Sequence, residues 1–450
     1  MANMNNTLKK DAENHECLLN STTEVRASEN SDEYEYVKLL RNTFDRNLFP
    51  NEFDEWTVSQ RYGWINKNLS KFYPNVPESL LEFIPAFFRD GDCGRSPVEK
   101  PDWLDMEKYR RGQKFVQDYL IGIFMTIAFL LLPAFTFETN LNPIILGDRA
   151  HTPYLGFKRY LSTIHRMMNW FNGEPWIRGT AAFKDMQFTR KMHVITRDKL
   201  SRFDNHEIDD ACKFENPWCP DRKLLLKDFA EACPFEKIGQ RPHKSFINLP
   251  FKRKYINNAD MAMIQCSFIS FILLYPQEFG VHGATDEDLE AFCHIWRCYG
   301  YFLGMEDEYN FCRGSLEEIK QRSRDFFQYW VIPNFKEVTP EWEHMTRCAI
   351  EPFNYFSFMY ISYKAAILLI TDSFHINMPR LHASLNYSDW ISYKIMKFVL
   401  RYALKLSIIR SFFNNVLLNV LNQSMNCSPE KEAEFHKQSK KQVQDFSVRI

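Results

Sequence analysis

Three residues carry the first chemical suggestion in this chain of 450 residues. Arg159 and Thr163 stand four apart, which on a helix sets them one turn apart on one face. His193 follows in the run Phe188-Thr189-Arg190-Lys191-Met192-His193-Val194-Ile195, beyond a joint at Asn172-Gly173-Glu174-Pro175. A neutral imidazole ligates iron, and a guanidinium pairs with carboxylates. An imidazole on one helix facing an arginine and a hydroxyl on another suits a haem pocket. It suits an ordinary packed core equally well, so spacing alone leaves both open.

Other chemistry-bearing residues are weaker. His294 neighbours Cys293, but adjacent side chains on a helix diverge by about 100°, so the pair does not converge on a ligand. The run Glu306-Asp307-Glu308 would serve as a general base or as metal carboxylates, and equally as a solvated helix end after the cap at Gly304. His165 follows Thr163 by two residues and points away from Arg159. There is no G-x-G-x-x-G, P-loop, G-x-S-x-G elbow or H-E-x-x-H, which removes the usual support for nucleotide, serine-hydrolase and zincin chemistry.

The elements that must position Arg159, Thr163 and His193 read as helices. Glycine is scarce, 15 residues in all, which removes the turn chemistry of a many-stranded β protein. Aromatic residues make up 16% of the chain, 40 of them Phe, enough to line a large interior or a pocket for an apolar ligand. Thr285 and Asp288 predict a capping box that opens a helix through Phe292, Trp296, Tyr299 and Leu303. The uncharged stretch from Tyr119 to Phe137 reads as a fully buried helix or as a membrane span. Residues from Trp390 to about Asn422 predict one long amphipathic helix that packs on the core or lies on a membrane surface. Asp204 to Pro220 reads as a loop-rich connection, and Pro234 to Asn258 as an extended basic linker.

A net charge of −1 gives no bias toward nucleic acid. The eleven cysteines contain no C-x-x-C pair, which predicts a reducing, intracellular compartment, and the polar first thirty-odd residues predict no cleavable signal peptide.

Arg159-x-x-x-Thr163 with His193 in Arg190-Lys191-Met192-His193 resembles the signature of the latex-clearing protein or rubber oxygenase family, which includes the MpaB-type ER-bound oxygenases. Asn216-Pro217-Trp218-Cys219-Pro220-Asp221, Tyr275-Pro276-Gln277 and Cys298-Tyr299-Gly300-Tyr301-Phe302-Leu303-Gly304-Met305-Glu306-Asp307 look like a eukaryotic branch of that family, and the likeness runs loosely from about Leu120 to Leu385. The resemblance implies an all-α, globin-like core holding haem b and using O₂ on an apolar substrate. His193 would be the proximal iron ligand, Arg159 would pair a haem propionate, and Thr163 would face the haem. Two positions differ: Ser162 stands where rubber-cleaving members have lysine, and no acid matches the spacing of their catalytic glutamate, Glu138 and Asp148 being the nearest.

The expectation is therefore one large multi-helix domain over residues 35–425 with a buried central helix pair, preceded by a disordered tail (1–34) and followed by a polar tail (426–450). The expected activity is haem b-dependent oxygenation or oxidoreduction of an unsaturated, lipid-like or isoprenoid molecule. The alternative is a catalytically silent haem- or lipid-binding protein. The expected partners are the apolar substrate and O₂, without nucleic acid, at a cytoplasmic or ER-membrane-associated location.

Overall fold

A computed structural model describes residues 32–247, 251–355 and 360–443. Their regular structure is helical throughout, with one isolated antiparallel bridge between Asp90 and Asn257 and no strand among the described residues. The protein is all-α. It divides into two compact units, Met1–Lys67 and Asn68–Ile450. Nearly all of the expected N-terminal tail lies outside the described residues, and the first helix begins at Asp32.

In the first unit, the helices Asp32–Thr43 and Val58–Lys67 enclose a small aromatic core. Tyr36 meets Tyr62 edge-on at 5.6 Å and Phe53 meets Trp64 at 5.7 Å, while Arg41 pairs with Asp54 at 3.2 Å on the outside. The helices needed below all belong to the second unit. They are α1 (Met106–Asp118), α2 (Leu120–Phe129), α3 (Glu138–Leu146), α4 (Pro153–Phe171), α5 (Ala181–Leu200), α6 (Asn258–Leu274), α7 (Asp286–Phe302), α8 (Pro340–Ile350), α9 (Tyr363–Ser373), α10 (Tyr387–Arg401), α11 (Ser407–Met425) and α12 (Pro429–Gln442).

The helix enclosed on nearly every side is α6, in keeping with a sequence whose only acidic or basic residue is Asp260 in its first turn. In its middle, Gln265 donates to the Trp296 carbonyl at 2.6 Å and accepts from the Phe311 amide at 2.9 Å. Such pairing removes most of the desolvation cost of burying an amide. The capping box at Thr285 and Asp288 is present and opens α7 as expected.

The apolar run from Tyr119 to Phe137 does not form one helix. α2 meets α1 at a bend of 84°, and a second break precedes the short helix Leu131–Ala134. Pro133 has no amide to donate back into the helix, and the neighbouring Leu132 carbonyl accepts from the Trp342 indole at 2.9 Å. Among the described residues no single helix is long and apolar enough to cross a membrane, although the bent α1–α2 pair passes on length and composition.

Other elements differ from expectation through local signals. The connection at 204–220 contains a helix, Asn205–Ala211, opened by a capping box of Asp204 and Glu207. The basic linker holds a short helix, Pro242–Ile247. The long C-terminal helix is two, α10 and α11, separated by the turn Ala403–Lys405. Beyond Cys427 the polar segment folds as α12 and docks on α4: Phe435 is buried, stacks on Tyr355 at 4.7 Å and meets Phe157 at 5.7 Å.

The crossing of α4 with α8 is close because Gly156 has no side chain. A methyl group there would fall on the Cys348 carbonyl oxygen. Next to this crossing, a buried ion network holds the Trp218–Asp221 stretch to α8. Arg347 pairs with Asp221 and, at 2.9 Å, with Glu343. His344 accepts from the Trp218 amide at 2.9 Å through Nδ1, so its Nε2 carries the proton and donates to the His151 carbonyl at 2.8 Å. Burial pushes this imidazole down to about 4, which keeps it in that neutral form.

Candidate functional site

α4 and α5 form a hairpin whose two ends do different work. α4 starts where the Thr152 hydroxyl accepts from the Leu155 amide with Pro153 in the first turn, and α5 starts where the Thr180 hydroxyl accepts from the Phe183 amide. The residue before that cap, Gly179, has φ 85°, a left-handed conformation that a side chain would strain. Near the hairpin turn, Asn169 donates to Asp185 at 2.7 Å, and Arg166 lies 4.2 Å over the Phe188 ring. These contacts fix the register between the helices.

One helical turn or more further along, the hairpin carries Arg159 and His193. Both side chains are densely surrounded yet keep some accessible surface, as does Tyr160. Burial lowers the Arg159 pKa, with Arg149 adding to the fall and Tyr160 opposing it. Among the described residues no carboxylate pairs with Arg159, although an unpaired buried cation is costly. Its guanidinium lies over the C-terminal end of α3, close to Gly147.

Burial pushes His193 down to about 4; Arg197 and Arg159 reinforce the fall and Asp92 resists it. The imidazole is therefore neutral at pH 7. Its Nδ1 is buried without a hydrogen-bond partner. A neutral, unpartnered imidazole beside a cation without its counter-ion can accept a metal and an anion together.

Thr163 lies on the same flank of α4 as Arg159, but it is exposed and its hydroxyl donates to the Arg159 carbonyl at 3.1 Å. The Ser162 hydroxyl accepts from Arg166 at 2.5 Å. Both hydroxyls are thus tied to their own helix. His165 is exposed. Glu306 and Asp307 hold structural pairs, with Arg89 at 3.0 Å and Arg297 at 2.6 Å, and His294 accepts from the Asp105 amide at 3.2 Å. These earlier alternatives are absorbed by the fold.

Two groups near His193 had no clear signal in the sequence. Arg197, one turn on, donates to the Ile256 carbonyl at 2.9 Å, while its Nε lacks a partner. Asp260 closes a capping box with Asn257 at the start of α6, a pattern that marks a helix start and nothing more. Here the carboxyl is wholly buried, its Oδ1 has no partner, and burial lifts it to about 7 against the pull of Thr139, two backbone amides and Arg197. Behind them, Arg190 grips Asp92 through Nε at 2.8 Å and the Arg95 carbonyl at 2.8 Å, which ties α5 to the loop before α1.

On the other side of α4, Phe157, Tyr160, Leu161 and Ile164 line an apolar cavity of about 90 Å³. Leu417 and Leu421 of α11 form its opposite wall. Tyr160 lines this cavity, its hydroxyl is buried without a partner, and it feels the charge of Arg159.

Compared with protein-family profiles, with curated proteins and with solved structures, the chain matches none of them.

Proposed function

We propose that a cleft between α4 and α5, beside Arg159 and His193, holds haem b, and that the protein is a haem-dependent oxygenase or related oxidoreductase acting with O₂ on an apolar, unsaturated lipid-like or isoprenoid molecule. The reading rests on the residue pattern shared with the rubber oxygenase family and implies a globin-like helical enclosure. The single observation that carries it is a neutral imidazole with no partner at Nδ1 near a buried guanidinium with no carboxylate. Haem would satisfy both, through its iron and a propionate.

Bound haem would supply the redox chemistry with O₂. His193 contributes a neutral nitrogen ligand, because burial and two arginines exclude its charged form. Arg159 contributes a fixed positive charge, with Arg197 adding to it. Asp260, lifted to about 7 by burial, is poised between its protonated and ionised forms near neutral pH and can give up or take a proton when the local charge changes. The cavity behind Tyr160 offers an apolar wall for part of an alkyl or isoprenoid chain.

The absorption spectrum of the purified protein tests the assignment. A Soret band is expected for the wild type and for His165→Ala, and its loss for His193→Ala. Equal haem in both variants, or none in the wild type, overturns it.

One observation favours the second reading, a catalytically silent haem- or lipid-binding protein. Thr163 is exposed and commits its hydroxyl proton to the Arg159 carbonyl, and Ser162 is engaged by Arg166 of the same helix, so the fold already uses both hydroxyls next to Arg159. Mass spectrometry of haem-loaded protein incubated with isoprenoid and unsaturated fatty substrates separates the two, since only the oxygenase yields an O₂-dependent product.

A further inference from the structure

α10 and α11 are amphipathic in the inverted sense. The inner face of α10 carries Asp389, Ser392 and Tyr393 with Met396 and Leu400, all buried. Asp389 accepts from the Ser362 hydroxyl at 2.6 Å, and Ser392 donates to the Tyr360 carbonyl at 2.7 Å. The outer face, spaced three and four residues apart, carries Tyr387, Trp390, Lys394, Ile395 and Phe398. Beyond the turn the pattern continues with Tyr402, Leu406, Ile408 and Phe412 outside and Asn414 inside. Phe398 is 60% exposed, Ile408 78% and Phe412 62%. Water is a poor neighbour for so continuous an apolar strip, and strips of this extent mark interaction surfaces.

The charges identify the neighbour. Between Tyr387 and Met425 the only acid is Asp389, which is buried, whereas Lys394, Lys397, Arg401, Lys405 and Arg410 line the same segment. Lys397 and Arg401 pair with Asp372 and Glu278 in the body of the protein. Lys394 and Lys405 have no carboxylate partner among the described residues; they lie along the Trp390 and Tyr402 rings, at 5.7 and 5.4 Å. Aromatic side chains, aliphatic tips and lysines reaching outward beside them match the layered chemistry of a bilayer surface: acyl chains, glycerol level and anionic headgroups.

We infer that the outer face of α10, the Ala403–Lys405 turn and the first half of α11 seat this protein on the surface of a membrane containing anionic lipid. No segment spans the bilayer in this arrangement; the helices lie in the plane of the headgroups. The inner face of α11 supplies Leu417 and Leu421 to the cavity behind Tyr160, so an apolar molecule leaving the bilayer beside α11 meets that cavity first. The docking face stands whether or not haem fills the cleft.

Sedimentation of the full-length protein with phosphatidylcholine vesicles, with and without phosphatidylserine, tests it. Wild type is expected to sediment with the anionic vesicles and more weakly with the neutral ones. The triple variant F398E/I408E/F412E changes only outward side chains, so circular dichroism and thermal unfolding should stay as in wild type while bound protein falls roughly tenfold or more. K394E/K405E should lose the preference for phosphatidylserine. A wild type that stays in solution with both vesicles, or a triple variant that sediments like wild type, overturns the inference. So does a wild-type dimer that the triple substitution converts to monomer without any vesicle binding, because a second copy of the chain would then cover this face.

Discussion

Asn414 closes the bend between α1 and α2 through Ile121: its Oδ1 accepts from the Ile121 amide at 2.9 Å. Its Nδ2 donates to the carbonyls of Gln117 and Asp118, each at 3.1 Å. One carboxamide on α11 thereby satisfies the backbone groups that the 84° turn frees on both sides. Leucine at this position fills a similar volume but makes none of these bonds. Asn414→Leu is expected to cost roughly 3 kcal/mol, from buried donors and acceptors left unmade. Urea unfolding measures it, and a loss below about 0.5 kcal/mol would mean that water reaches the bend.

Gly156 and Gly63 give opposite outcomes for the same substitution. Gly156→Ala places a methyl on the Cys348 carbonyl and forces α4 off α8, at an expected cost of about 1–3 kcal/mol. Gly63 sits inside the helix Val58–Lys67 with nothing near its missing side chain, so Gly63→Ala should stabilise by about 0.5–1 kcal/mol. A thermal melt of Gly156→Ala that matches or exceeds wild type would contradict the close crossing, and a lowered melt of Gly63→Ala would contradict the open site.

Asp260 imposes a pH dependence of definite sign. Its folded pKa, about 7, lies above its unfolded value, so its favourable contribution is complete below the unfolded pKa near ~3.9 and disappears as pH rises through about 7. Asp260→Asn should keep the cap, remove the ionisation and stabilise the protein at pH 8 by roughly 2–4 kcal/mol, with little effect at pH 4. The same pH slope in wild type and variant would show that the carboxyl titrates normally.

Arg159 should be a burden to the protein without a ligand. Replacing it with methionine keeps the apolar stem and removes an unpaired buried charge, so apoprotein stability is expected to rise by roughly 1–3 kcal/mol. Haem content after reconstitution should fall in the same variant. A less stable apoprotein would mean that the guanidinium already has a partner within the fold.

His193 contributes in the sense opposite to Asp260. Its pKa is depressed to about 4, so its contribution is complete above the unfolded value near ~6.5 and is lost as pH falls through about 4. Spectrally monitored acid titration of reconstituted protein should therefore release haem in that acid window. Release confined to pH above 7 would place the ligand elsewhere.

Local patterns were legible in the sequence wherever one helical turn decides the outcome. The Thr285 and Asp288 box opens α7, and the one-turn spacing of Arg159 and Thr163 puts both on one flank of α4. Breaks made by distant groups were not legible: the bend at Tyr119 depends on Asn414, which lies far along the chain, so an uncharged string looked continuous. Asp260 carried only a capping pattern, because its importance comes from burial beside Arg197. The split between α10 and α11 was hidden for a related reason. Apolar residues face outward there, and a reading that assigns every apolar residue to the core sees one long amphipathic helix.

The docking of α12 across α4 sets an order of assembly. Phe435 and the ion pair between Lys158 and Glu432, at 2.6 Å, buttress the outer side of the helix whose inner side bears Arg159. On a ribosome adding about 5–20 residues each second, the two walls of the cleft emerge on the order of ten seconds or more before that buttress is made. Until then α4 is held by the hairpin contacts to α5 and by its crossing with α8. The buttress on α4 is therefore among the last contacts the chain can make to this helix.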